Sequence, residues 1–166
     1  HKKYVSTYWS QYGNKVYLTS DFAYKDKNGL IRVVGRADDI IKVAGHRLST
    51  GELENIFSHN KKVSEVAVIG VAHEIKGEVP IAFIVLKTGK PDDKIKVELV
   101  KQVERDIGKI ARPSQIYFVE GLPKTRSGKI MRRILRKLFT GEELGDLSTL
   151  ANPESVKKLK EVIKKN

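Results

Sequence analysis

The pattern of apolar and polar positions changes character part-way along the chain. Residues 16–18 and 31–34 read as short strands around a turn at Lys27-Asn28-Gly29, and residues 40–44 as a further strand. Residues 49–59 read as a helix. Ser49 and Glu52 are spaced for a capping box, and Leu53, Ile56 and Phe57 make one apolar stripe. Two β-rich apolar runs, 63–71 and 79–86, predict buried strands. A turn at 91–93 precedes a helix over 95–107, with Leu99, Val103 and Ile107 at i, i+4 and i+8. Residues 116–119 read as a short strand, 121–128 as a loop and 129–138 as a helix, and a lysine-rich helix follows Pro153.

From residue 40 onward strands alternate with helices. This predicts an α+β (α/β-like) domain with a small sheet flanked by helices. The first 37 residues are more β-like and contribute little helix, which places a boundary near Asp38 and divides the chain into 1–37 and 38–166.

Composition narrows the chemistry. The 166 residues are 40% hydrophobic and 31% charged, a globular balance that supports a sizeable core. Without cysteine there is no disulfide, thiolate nucleophile or Cys-ligated zinc, which suits an intracellular, cytoplasmic protein. No apolar run approaches a membrane span, so no membrane partner is expected. The first residue is His1 and not Met, which suggests a piece of a longer polypeptide. The net charge of +12 suits nucleic acid, phosphate-rich small molecules, or simply a lysine-coated surface.

The densest chemistry lies at 122–138. Residues 124–139 contain no acidic side chain. Ile130, Met131, Ile134, Leu135 and Leu138 fall on one helical face, and Lys129, Arg132, Arg133, Arg136 and Lys137 on the other. The Gly128-Lys129 pair suggests a P-loop, but Pro123 stands where that motif needs glycine and Ile130 where it needs Ser or Thr, so the motif is rejected. A lysine at a helix start is disfavoured by the macrodipole by ~0.3–1 kcal/mol. A bound anion would offset that cost, with Thr125 and Ser127 as hydroxyl donors. The plain alternative is an exposed loop lysine ahead of a solvated basic helix. A second block runs Thr19-Ser20-Asp21 and then Gly35 to Arg47. There the Asp21 carboxylate could accept ribose hydroxyls, and Arg36 and Arg47 could fork onto phosphates. The alternatives are a turn cap at Asp21, a surface ion pair at Arg36 and a turn acid pair at Asp38-Asp39. His73 reads as a loop histidine, and no metal ligand set is expected.

The string Pro123-Lys124-Thr125-Arg126-Ser127-Gly128-Lys129-Ile130-Met131-Arg132-Arg133 resembles the C-terminal signature of AMP-forming acyl-CoA synthetases of the acetyl-CoA synthetase type, in the adenylate-forming superfamily. The segments 19–47 and 66–78 and the tail 145–153 are similar to the same family, the tail to its short-chain members. The resemblance implies an acid–thiol ligase acting on ATP with Mg2+, a short carboxylate such as acetate, propionate or 3-hydroxypropionate, and coenzyme A. It implies that 1–37 are the end of a large N-terminal domain, the partner of a mobile domain over 38–166. It also implies roles: Lys129 for adenylation and as a site of regulatory acetylation, Asp21 and Arg36 on the nucleotide, Arg47 on phosphate, Asp38 as hinge, and Gly45 lining the pantetheine path. Nucleic acid is not expected in this reading; a basic nucleic-acid-binding or non-catalytic interaction module is the alternative. The sequence departs from the family at Ser20, in place of the usual glycine, at Ala44, where serine is common, and at Glu104, where a CoA-phosphate arginine is common and Arg105 stands next to it.

Overall fold

The computed structural model describes residues 1–13 and 15–165, the side chains at 3, 34 and 38 excepted. The chain divides into two compact units, residues 1–40 and 41–166.

The first unit opens with a helix, α1 (Lys2–Tyr8), and a 3-10 turn at Ser10–Tyr12. This departs from the β-like expectation. Its cause is an aromatic cluster: Tyr8 and Tyr17 stack with centroids 5.2 Å apart, and Trp9 meets Tyr17 edge-on at 5.4 Å. The strand expected at 16–18 is absent for the same reason, since Tyr17 packs on α1 and Leu18 N donates to Tyr8 O. Strands β1 (Asp21–Lys25) and β2 (Ile31–Arg36) pair antiparallel. The turn between them is where the sequence puts it, with the Asp26 carboxylate accepting from Asn28 N and Leu30 N.

The second unit is three-layered. The first unit ends in a 3-10 turn (Ala37–Asp39) and the first residue of β3 (Ile40–Val43); then come β4 (His46–Ser49), α2 (Thr50–Ser58), β5 (Val63–His73), β6 (Gly77–Leu86), α3 (Asp93–Asp106), β7 (Gln115–Phe118), α4 (Arg132–Thr140) and α5 (Pro153–Lys165). The strand order is β4-β3-β6-β5, and β7 also pairs with β6, in parallel. β5 and β6 form a long antiparallel hairpin. Their apolar runs lack polar alternation because both faces are covered. Val66, Val68, Ala82 and Ile84 pack with Leu53 and Phe57 of α2 and Leu99 and Val103 of α3. Ala67, Ile69, Ile81 and Phe83 pack with Leu135 of α4 and Leu159 of α5. The side-chain period of two thus feeds two cores from one hairpin.

Two local expectations change. Ser49 sits at the N-cap of α2, but its side chain makes no capping bond. The capping role appears instead on α3, where the Asp92 carboxylate accepts from Ile95 N at 2.6 Å. The basic helix starts at Arg132, three positions later than its periodicity suggests.

Candidate functional site

The late start of α4 reshapes the setting of Lys129. Gly128 has φ 81°, a left-handed conformation that glycine adopts at little steric cost. It closes a tight loop in which Gly128 N donates to Thr125 O, Thr125 N to Lys129 O (2.9 Å) and Met131 N to Pro123 O (2.8 Å). Lys124 and Ile130 form a β-bridge across its base. Backbone groups of Pro123, Thr125, Gly128, Lys129 and Met131 are therefore used in a small hairpin, and the macrodipole argument for an anion at Lys129 no longer applies. Lys129 is exposed near the hairpin tip. The hydroxyls expected to face a ligand are engaged within the loop: Thr125 Oγ1 accepts from Lys129 N and lies 3.0 Å from Ser127 Oγ.

Side chains from distant elements brace this hairpin, and the sequence did not single them out. Lys124 Nζ pairs with Glu65 of β5. Arg132 forks onto Glu54 of α2, Nε to Oε1 at 2.9 Å and Nη2 to Oε2 at 2.5 Å, while Glu54 Oε1 also accepts from Val68 N at 2.8 Å. Asn152 bridges the entry limb, its Nδ2 donating to Leu122 O and its Oδ1 accepting from Lys124 N. Only the spacing of opposite charges across the fold could have signalled the Glu54 and Glu65 pairs, and that spacing is invisible without the topology.

The basic face of α4 is used within the chain. Arg133 donates to Leu144 O and Asp146 O, Lys137 to Glu143 O, and Arg132 to Glu54. This face folds the 141–147 segment onto the helix, which removes the main support for a nucleic-acid interface.

Gly45 and Arg47 belong to the β3–β4 hairpin. Its turn has Ala44 at φ 46° and Gly45 at φ 85°, the signs of a type I′ turn. A Cβ on Gly45 would meet no heavy atom within 4 Å, so the glycine serves the backbone angle and not a crowded neighbour. The turn is tied to the β5–β6 connection by Ala44 N to Lys76 O and by Lys42 N to Glu78. His73 holds that connection, its Nδ1 accepting from Ile75 N and Lys76 N. Arg47 is exposed on β4.

In the first unit, Arg36 Nη1 donates to Thr19 O at 2.8 Å and approaches Asp21 Oδ1 at 3.5 Å. Both side chains are about half exposed, 48% and 40%, so the pair is a weak surface contact and Asp21 keeps acceptor capacity. Ser20 has φ 61°. A glycine is the unstrained residue at that angle, which gives the Ser20 departure a physical meaning. The Asp38 side chain lies outside the described residues. Glu104 pairs with Arg112 at 3.7 Å. Arg105 forks onto its neighbour Asp106 and holds that carboxyl below its ordinary value.

Residues 52–129 match the AMP-binding enzyme C-terminal domain. Over those residues the chain is similar to this family. It is 54% identical to the acetyl-coenzyme A synthetase of Pyrobaculum arsenaticum over 96% of its own length and 24% of that protein's. It matches the anthranilate CoA ligase AuaEII, solved in complex with anthranoyl-AMP, at 34% identity and TM-score 0.64, over 72% of this chain and 23% of that one. It matches the ATP-bound RpMatB-BxBclM chimera B1 at 31% identity and TM-score 0.67, over 74% and 24%. The chain thus spans about a quarter of the length of the relatives it matches. Among the described residues, no helix is long and apolar enough to cross a membrane. Nor does any group of three or more His, Cys, Asp or Glu stand ready to hold a metal ion.

Proposed function

We propose that this chain is the C-terminal part of an ATP-dependent, AMP-forming ligase that joins a short carboxylate, acetate first, to coenzyme A. In this reading residues 1–37 end a large N-terminal domain and residues 38–166 form a mobile domain that turns about Asp38. The observation that carries it is the near-complete match, 54% identical over 96% of the chain, to a protein named acetyl-coenzyme A synthetase.

Two steps follow. A carboxylate oxygen attacks the α-phosphorus of ATP, the P–O bond to pyrophosphate breaks, and acyl-AMP forms. The sulfur of coenzyme A then attacks the acyl carbon, and the C–O bond to AMP breaks. In the first step Lys129 places a cation where negative charge gathers on the carboxylate and phosphoryl oxygens. Its exposed position on a braced hairpin suits a group that must reach into a site built by another domain. Asp21 takes the ribose hydroxyls, and Arg36 and Arg47 contact the nucleotide phosphates. In the second step the domain rotates and Gly45 offers a side-chain-free path to the pantetheine arm. Among the described residues no group of three or more His, Cys, Asp or Glu could hold a metal ion. In this reading Mg2+ travels with the triphosphate of ATP, which binds it through phosphate oxygens. Acetylation of Lys129 would remove its charge and act as an off-switch.

The test is Lys129→Ala in the full-length ligase. ATP–pyrophosphate exchange should fall by about 10²–10³. Coenzyme A-dependent consumption of supplied acyl-AMP should persist. Undiminished exchange would make Lys129 an ordinary surface lysine.

A further inference from the structure

We propose that Asn152 is a positioning residue for Lys129, acting as a side-chain strap that fixes the adenylation hairpin to the body of the domain. The inference rests on the adenylation role of Lys129 given above.

Asn152 precedes Pro153, the first residue of α5. An asparagine there ordinarily turns its side chain back to cap the helix. This one does not. Ser155 N and Ser155 Oγ are satisfied by the Asn152 backbone carbonyl, at 3.1 and 2.7 Å. The side-chain amide is left to reach the limb that leads into the lysine hairpin. There Nδ2 donates to Leu122 O at 2.8 Å and Oδ1 accepts from Lys124 N at 2.9 Å. Between these two groups stands Pro123, which has no N–H and cannot continue a backbone ladder. The amide spans that interruption and supplies one donor and one acceptor, as a neighbouring strand would.

The strap continues in the backbone. Ala151 N donates to Lys124 O at 2.8 Å, and Leu150, itself buried, forms a β-bridge with Thr125. Thr125 is in turn bonded to Lys129 from both sides: Thr125 N donates to Lys129 O, and Lys129 N to Thr125 Oγ1. Two links therefore connect Asn152 to the Lys129 backbone, through Lys124 and Thr125. The Lys129 side chain is long and exposed, so its aim depends on the rigidity of this base. Without the amide, the entry limb loses both partners next to Pro123, and the lysine is presented over a wider range of positions. Such a spread lowers the rate of the step that needs the lysine and leaves ground-state binding unchanged.

The experiment compares Asn152→Leu, which keeps the branched heavy-atom skeleton and cannot hydrogen-bond, with Asn152→Asp, which keeps the acceptor for Lys124 N. Both are made in the full-length ligase beside Lys129→Ala. Expected for Asn152→Leu is a fall of about ten- to a hundredfold in kcat for ATP–pyrophosphate exchange, with KM for ATP unchanged. Thioester formation from supplied acyl-AMP should be retained, and Asn152→Asp should recover part of the exchange rate. A fall in both half-reactions together, for Leu and Asp alike, would make Asn152 a stability residue only and overturn the proposal. Full exchange in Asn152→Leu beside lost exchange in Lys129→Ala would overturn this inference alone. Full exchange in Lys129→Ala would overturn the functional reading, and this one with it.

Discussion

The lysine hairpin and the β3–β4 turn both end in a glycine at positive φ, 81° at Gly128 and 85° at Gly45, and they are held in different ways. Side chains of Asn152, Glu65 and, through Arg132, Glu54 grip the lysine hairpin. The β3–β4 turn has a backbone bond from Ala44 N to Lys76 O, the Glu78 carboxylate accepting from Lys42 N, and the nearby His46 ring, its Nδ1 3.3 Å from Ala44 O, and it carries a non-glycine residue at φ 46°. Under the proposed function, the contrast follows from what each tip presents. A flexible lysine with four methylenes needs a fixed base before its charge has a defined place. A glycine offered as open space needs only the right backbone angle.

The largest stability effect expected from this contrast is at Glu54. Its carboxylate is only 13% exposed, forks with Arg132 and accepts from Val68 N. Glu54→Ala should cost about 2–3 kcal/mol, as expected when a partly buried charged hydrogen-bond partner is removed. Urea unfolding of the chain measures it. Hydrogen exchange should quicken at Lys129 and stay unchanged at Ala44. A loss below about 1 kcal/mol would reduce the fork to an ordinary surface pair and weaken the claim that this hairpin is the better braced.

These braces also mark the limit of what the sequence makes legible. The α+β architecture was readable because β5 and β6 announce themselves as apolar runs and α3 by a clean i, i+4, i+8 stripe. Lys129 entered as a candidate through the motif around it. Its local conformation was not legible: the amphipathic pattern of α4 runs back through Ile130, but the bonds Thr125 N to Lys129 O and Met131 N to Pro123 O remove those groups from the helix. Tertiary context won over periodicity. Asn152, Glu54 and Glu65 were hidden because their partners lie 28, 78 and 59 positions away. In the first unit, α1 depends on Tyr8, Trp9 and Tyr17 meeting, a contact no local pattern states.

A smaller effect is expected from alanine at the two glycines. Gly45→Ala and Gly128→Ala each force an L-residue to a left-handed angle, at a cost of about 1–2 kcal/mol, and neither new Cβ meets an atom within 4 Å. The two costs should therefore match. Equal shifts in urea unfolding would show that the loops differ in bracing and not in turn strain. A cost at Gly128 several times that at Gly45 would show the reverse.

The smallest effect has the opposite sign. Ala44 occupies the first central position of the β3–β4 turn at φ 46°, where its Cβ is crowded by the following carbonyl. Asparagine tolerates that region, and Asn-Gly is the preferred pair for a type I′ turn joining two strands. The turn tip is open on its side-chain face: Ala44 is exposed, and a Cβ on the adjacent Gly45 would have no neighbour within 4 Å. Ala44→Asn therefore changes the backbone preference and little else, and should stabilise the chain by about 0.5–1 kcal/mol. The bond from Ala44 N to Lys76 O is a backbone bond and survives the change. Thermal unfolding at fixed pH should show a small rise in Tm, and hydrogen exchange at position 44 should slow. A fall in stability would mean that the angle at Ala44 is imposed by the grip of the β5–β6 connection and not by the residues of the turn. The glycine turn would then be braced as firmly as the lysine hairpin, and the contrast between the two would fail.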